Sequence, residues 1–164
     1  MYFKQADIFW GMDRDFVKKI MDIGEKESCR GGDFLFQTGD PARYFYILLK
    51  GAVKLRREEI GQTVYTASHA GEAFGWSSLI GRENYSAAAM CTGPASLLKF
   101  DRDVLLKLIA DDPPSGMLFF RGLAGVLGNR LLNSYTMMSA YSHSRMPPSQ
   151  GISTSDASAE TYDG

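Results

Sequence analysis

Few side chains in this sequence are equipped for covalent chemistry. Only two histidines occur, His69 and His143, and histidine is the side chain that most readily exchanges a proton near neutral pH. His143 stands at the start of a Ser- and Pro-rich C-terminal stretch, and a lone His69 in a strand-like run reads as an exposed or hydrogen-bonded residue. The acidic pairs Asp13/Asp15 and Glu58/Glu59 read as solvated charges. No glycine-rich loop ending in lysine, no nucleophile elbow and no HExxH pair is present. Cys29 and Cys91 are too far apart for a metal motif. Both fall in strand-like stretches, which favours buried, reduced thiols over a disulfide. None of these residues therefore reads as catalytic, and an enzyme is not expected.

The elements that would carry such a function follow from the spacing of apolar residues. The chain has 164 residues, of which 45% are apolar and 23% charged, enough for one domain with a real core. Phe16, Ile20 and Ile23 recur at helical spacing, with Asp13 placed to cap the helix and Gly24 to stop it. From Glu25 to Phe100 the pattern changes to short runs rich in Phe, Tyr, Val and Leu, punctuated by glycine. The clearest strands are 44–49, 52–57, 64–68, 86–91 and 96–100. Turn signals between short strands point to an antiparallel sandwich or barrel. Tyr44, Tyr46 and Leu48 alternate with Phe45, Ile47 and Leu49, so this strand is expected to be buried on both faces, with a helix over part of the roll.

Helical spacing returns at Asp101, which can cap a short helix carrying Val104, Leu105, Leu108 and Ile109. Asp111-Asp112-Pro113-Pro114 breaks the chain, and a longer helix is expected over residues 113–140. Its stripe of Phe120, Leu123, Leu127, Leu131 and Met138 is close to a heptad seam. Residues 1–141 are thus expected to form one domain. Residues 142–164, dominated by Ser, Pro, Gly and Thr, are expected to be a disordered tail, because so little apolar burial cannot offset the ordering entropy.

The run Gly32-Asp33-Phe34-Leu35-Phe36-Gln37-Thr38-Gly39-Asp40, followed by Tyr44 to Gly51, resembles the first half of a cyclic-nucleotide-binding domain. Gly71-Glu72-Ala73-Phe74-Gly75 resembles the lead-in to that family's phosphate-binding cassette. The resemblance covers residues 7–140 and implies a sensor domain of the catabolite-activator type. Its fold would be mainly β with flanking helices: an antiparallel β-roll (double-stranded jelly roll), then a short helix and a long C-terminal helix.

The resemblance places the ligand site at Phe74, Gly75, Trp76, Ser77, Ser78, Tyr85, Ser86 and Ala87. In the family a cyclic phosphate sits on backbone N–H groups at the start of one helical turn after the glycine. Ser77 and Ser78 could add hydroxyl donors and cap the turn. Two family side chains are missing, however. The glutamate that accepts from the ribose hydroxyl is replaced by Trp76, and the arginine that pairs with the phosphate by Tyr85. Glu72 aligns with the acidic residue before the Phe-Gly pair and does not replace that glutamate. Arg82 is a possible substitute cation, on an expected loop tip. Loss of one partner of a desolvated charge pair costs about 2–5 kcal/mol, which is roughly 30- to 3,000-fold in affinity.

Three outcomes follow: a pocket packed shut by its own aromatics, a pocket retuned for another small anionic ligand, or conventional binding of a cyclic nucleotide (cAMP or cGMP). The corresponding functions are a regulator that binds a ligand weakly and signals through its long helix, or a ligand-free interaction and dimerisation scaffold. A homodimer through residues 113–140 is expected, with an unidentified protein as a further partner. The net charge of −1 and the low-complexity stretch after Tyr141 speak against direct DNA binding. No apolar run approaches the roughly 18 residues of a membrane span. The N-terminus resembles no signal peptide, so a cytoplasmic location is expected.

Overall fold

Strand β3 (Tyr44–Lys50) explains the layering, because both of its faces are buried. Phe45 and Ile47 pair with Phe100 and Leu98 of β8 (Ala95–Asp101) and enter a core shared with the helices. Tyr46 and Leu48 point the other way, into a second core that also holds Leu97, Val53 and Cys91. A strand with helices on one side and a second sheet on the other has no polar face to spare.

The structure, a computed structural model, describes residues 7–57 and 61–144. Glu58 and Glu59, and residues 145–164 of the expected tail, lie outside the described residues. One four-stranded sheet has the order β1 (Glu25–Cys29), β8, β3, β6 (Ala73–Phe74). The other runs β2 (Phe34–Phe36), β7 (Ala88–Cys91), β4 (Val53–Arg57), β5 (Gln62–Ala67). Every pairing is antiparallel, and the fold is the expected antiparallel β-roll with flanking helices.

The two cysteines depart from expectation. Cys29 and Cys91 form a disulfide, with Cα atoms 6.6 Å apart, and not a pair of reduced thiols. Cys29 ends β1 in one sheet and Cys91 ends β7 in the other. Folding the roll brings these two strand ends together across a sequence separation of 62, a juxtaposition that local spacing could not reveal.

Helix α1 (Arg14–Asp22) starts as expected at Asp13, whose Oδ2 accepts from the Asp15 N–H at 3.1 Å. It buries Phe16 and Ile20. Helix α2 (Arg102–Asp111) is capped by Asp101, whose Oδ1 accepts from the N–H groups of Asp103 at 2.9 Å and Val104 at 3.3 Å. Leu105 and Ile109 face the core, while Val104 is exposed.

Helix α3 spans Pro113–Ser144, so residues 142–144 are helical where the tail was expected to begin. The chain divides into two compact units, Met1–Gly128 and Asn129–Gly164. In the first unit the inward side chains of α3 are Phe119 and Leu123, whereas Phe120 of the expected stripe is exposed. Phe119 lies 6.2 Å from the Phe45 ring and 6.5 Å from the Phe9 ring. The backbone of a short 3-10 turn, Asp7–Phe9, rests directly on Gly122, where a Cβ would overlap the Ile8 carbonyl oxygen. In the second unit Leu131, Leu132, Tyr135, Met137 and Met138 are exposed.

Candidate functional site

The segment expected to form the cassette begins where β6 ends. Gly75 has φ +76°, and a Cβ there would come within 2.9 Å of the Tyr44 carbonyl oxygen. Only glycine meets both demands. A 3-10 turn, Trp76–Leu79, follows at once. Ser77 and Ser78 are buried in it. The Ser78 hydroxyl donates back to the Gly75 carbonyl at 2.8 Å, alongside its own N–H at 3.1 Å. That hydroxyl therefore helps close the turn, one of the two roles expected of these serines. Trp76 is half-buried and packs against the helix-side core, not among the rings inside the roll.

Tyr85 behaves differently. The segment before it runs antiparallel to the loop after β2: Ala42 N–H donates to the Glu83 carbonyl at 2.7 Å, Tyr85 N–H to Asp40 at 2.9 Å, and Gly39 N–H to Tyr85 at 3.0 Å. This small ladder sends the Tyr85 ring inward, where it is 4% exposed. It stacks on Phe36 with centroids 3.7 Å apart and planes 14° apart. Phe74 stacks on Tyr46 at 5.3 Å and 6°, and Phe36 lies 5.7 Å from Tyr46. The four rings fill the roll behind the cassette.

The Tyr85 hydroxyl is fully committed. It donates to the Tyr44 carbonyl at 2.6 Å and accepts from the Tyr44 N–H at 2.9 Å. The reason lies in β3. Leu48 directs its N–H and C=O toward the β6 side, bonding Glu72 and Gly71, and Tyr46 pairs with Phe74. Tyr44 is the next residue of the same parity, but β6 has already ended. The phenol takes the place of the missing strand. Burial above all pushes the Tyr85 hydroxyl up to about 12. Tyr46 is raised in the same direction, again mainly by burial.

The remaining expected residues are peripheral. Ser86 and Ala87 are half-buried between Tyr85 and β7, and Arg82 is exposed on the loop before the ladder. Glu72 braces the turn leading to the cassette. Its Oε2 accepts from the N–H groups of Ser68 at 2.6 Å and His69 at 2.7 Å, and its Oε1 from the Tyr65 hydroxyl. Burial works to raise its pKa, but these hydrogen bonds outweigh it and hold the carboxyl below its ordinary value. His69 sits in that turn, past the end of β5 and not on a strand, with Nδ1 3.5 Å from Glu72. Phe36 and the Tyr44 backbone were not marked as site groups by the sequence. Their contacts with Tyr85 cross the roll, and no local pattern signals them.

Among the described residues no cluster of His, Cys, Asp and Glu is arranged to hold a metal ion, and no helix is long and apolar enough to cross a membrane. Residues 26–112 match the family described as the cyclic nucleotide-binding domain. Over 145 residues the chain is 32% identical to the global nitrogen regulator of Nostoc sp., covering 86% of this chain and 61% of that protein. The catabolite activator protein of Thermus thermophilus superposes with a TM-score of 0.67 at 26% identity, over 84% of this chain and 63% of that one. A cyclic nucleotide-binding domain from Methylobacillus flagellatus superposes with a TM-score of 0.73 over 85% of this chain and 84% of that one. At 23% identity the last likeness speaks for the fold alone. The chain spans between 15% and 61% of the length of the curated relatives it matches. With the roll and the family match agreeing, this chain belongs to the cyclic nucleotide-binding domain family.

Proposed function

We propose that the chain is a regulatory domain of the catabolite-activator type, acting by regulation and not by catalysis. Its roll holds a cyclic nucleotide (cAMP or cGMP) weakly, or another small anionic ligand, and signals through α3. The observation that carries this reading is the Tyr85 side chain. It stands where the family resemblance calls for an arginine, yet its ring is stacked on Phe36 and its hydroxyl is spent on Tyr44. A neutral phenol so engaged offers no cation to a phosphate, while Gly75 and its 3-10 turn keep the backbone form of a cradle. The exposed Leu131, Leu132, Tyr135 and Met138 favour a homodimer through the C-terminal part of α3. The near-neutral charge favours a protein partner over direct contact with DNA.

Calorimetry with cAMP and cGMP tests the reading. The unmodified chain is expected to bind weakly or not at all. Trp76→Glu with Tyr85→Arg, checked for folding by circular dichroism, is expected to recover affinity by at least about tenfold. Low-micromolar binding by the unmodified chain would overturn it. A second reading, a ligand-free docking scaffold, is favoured by the four rings that fill the roll. It predicts no gain in the double variant.

A further inference from the structure

The disulfide and the rings that fill the roll are two ends of one short piece of structure. Strand β2 pairs with β7, Phe34 opposite Met90 and Phe36 opposite Ala89. At one end of this ladder, Cys29 leads through the loop Arg30–Asp33 into β2, and Cys91 terminates β7. At the other end, Phe36 of β2 stacks on Tyr85, from which the chain enters β7. The ladder is weak by itself. β2 has three residues, lies at the edge of its sheet, and carries a register shift between Phe34 and Phe36. Apart from the disulfide, the loop is held to the end of β7 by Gly32 N–H to the Cys91 carbonyl at 2.8 Å and Cys91 N–H to the Asp33 carbonyl at 2.9 Å.

We propose that the Cys29–Cys91 disulfide is a redox-sensitive latch on the aromatic fill of the cassette: oxidised, it clamps β2 to β7 and holds Phe36 against Tyr85; reduced, it lets β2 loosen and that stack open. The proposal rests on the reading that the space occupied by Tyr85 is where a ligand would enter. The reductant is a dithiol. Its thiolate attacks Sγ of Cys29, the half-buried partner, because Cys91 is fully buried. The Sγ–Sγ bond breaks, Cys91 leaves as a thiolate and takes up a proton, and a mixed disulfide remains on Cys29. The second thiol of the reductant attacks that bond, releasing Cys29 as a thiol and leaving the reductant as a cyclic disulfide. Two electrons and two protons pass to the protein.

Amide hydrogen exchange on the full chain, oxidised and then reduced with dithiothreitol, tests this. Thiol alkylation and mass spectrometry first establish the state of the cysteines. Reduction is expected to speed exchange at 34–36 and 85–91 by about tenfold more than in α2, which reports global opening. Cys29→Ser with Cys91→Ser should show the same pattern without reductant. Equal acceleration at all three places would make the bond a general staple and overturn the proposal. So would no change at all, or two free thiols in protein prepared without reductant. No nucleotide enters this experiment, so a failure in calorimetry would bear on the proposed function alone.

Discussion

Replacing Tyr85 by phenylalanine isolates the role of its hydroxyl. The ring and its stack on Phe36 are kept, and only one oxygen is lost. That oxygen serves two backbone groups of one residue, the Tyr44 carbonyl at 2.6 Å and the Tyr44 N–H at 2.9 Å. Leaving a buried backbone group without a partner costs about 1–3 kcal/mol. Both bonds are only part-buried, and water can reach some of the vacated space, so the lower end applies to each. The expected loss is about 2 kcal/mol, or about 30-fold in the folded-to-unfolded ratio. For a chain of this length that corresponds to a fall in Tm of about 4–8 °C. Urea unfolding measures it, with an unchanged slope showing that only stability moved. Tyr85→Ala, which also empties the ring's place, should cost about 3–5 kcal/mol. A Tyr85→Phe variant within about 0.5 kcal/mol of the parent would refute the argument that the phenol stands in for the missing strand. The hydroxyl would then be free for another role.

Three further outcomes are expected. Gly122→Ala should destabilise by about 1 kcal/mol, because its Cβ meets the rigid Ile8 carbonyl. Gly125→Ala, with open space around it, should stabilise by about 0.5–1 kcal/mol; thermal melts that gave both the same sign would contradict the packing of α3. Leu131→Asp should leave folding nearly unchanged, since Leu131 is 51% exposed, but weaken a homodimer by roughly 100-fold through an unpaired charge in the seam. Sedimentation at micromolar concentration decides, and an unmodified chain that is already monomeric removes the dimer. Stability should also fall in alkali. Tyr85 in the folded chain holds its proton up to about 12, whereas an unfolded tyrosine releases it near about 10. The unfolded state therefore loses protons first, so the stabilisation is complete below about pH 10 and is lost as pH rises toward 12. Urea midpoints between pH 8 and 12 follow this, and a flat profile would exclude it.

The parts of this molecule that were legible in its sequence are those governed by neighbours along the chain. Asp13 and Asp101 announce their helices because a cap needs only the next two or three N–H groups. The alternation from Tyr44 to Leu49 told of two buried faces because side chains alternate along any strand. Strand β1, Glu25-Lys26-Glu27-Ser28-Cys29, could not be read in this way: it is polar, and it is a strand because β8 pairs with it. Phe119 and Phe120 are adjacent, so helical spacing alone could not choose which turns inward; Phe9 and Phe45 decide for Phe119. The same reasoning applies to the cassette. That Tyr85 is no arginine was visible, and it carried the expectation of a lost phosphate partner. What the phenol does instead was not visible, because it depends on β6 stopping at Phe74 and leaving Tyr44 unpaired on that side. The residue standing where the resemblance implies a phosphate-binding arginine instead completes a sheet edge through its hydroxyl. Restoring an arginine there must therefore offset a structural loss before it yields any affinity, and the recovery in the double variant measures the difference between the two.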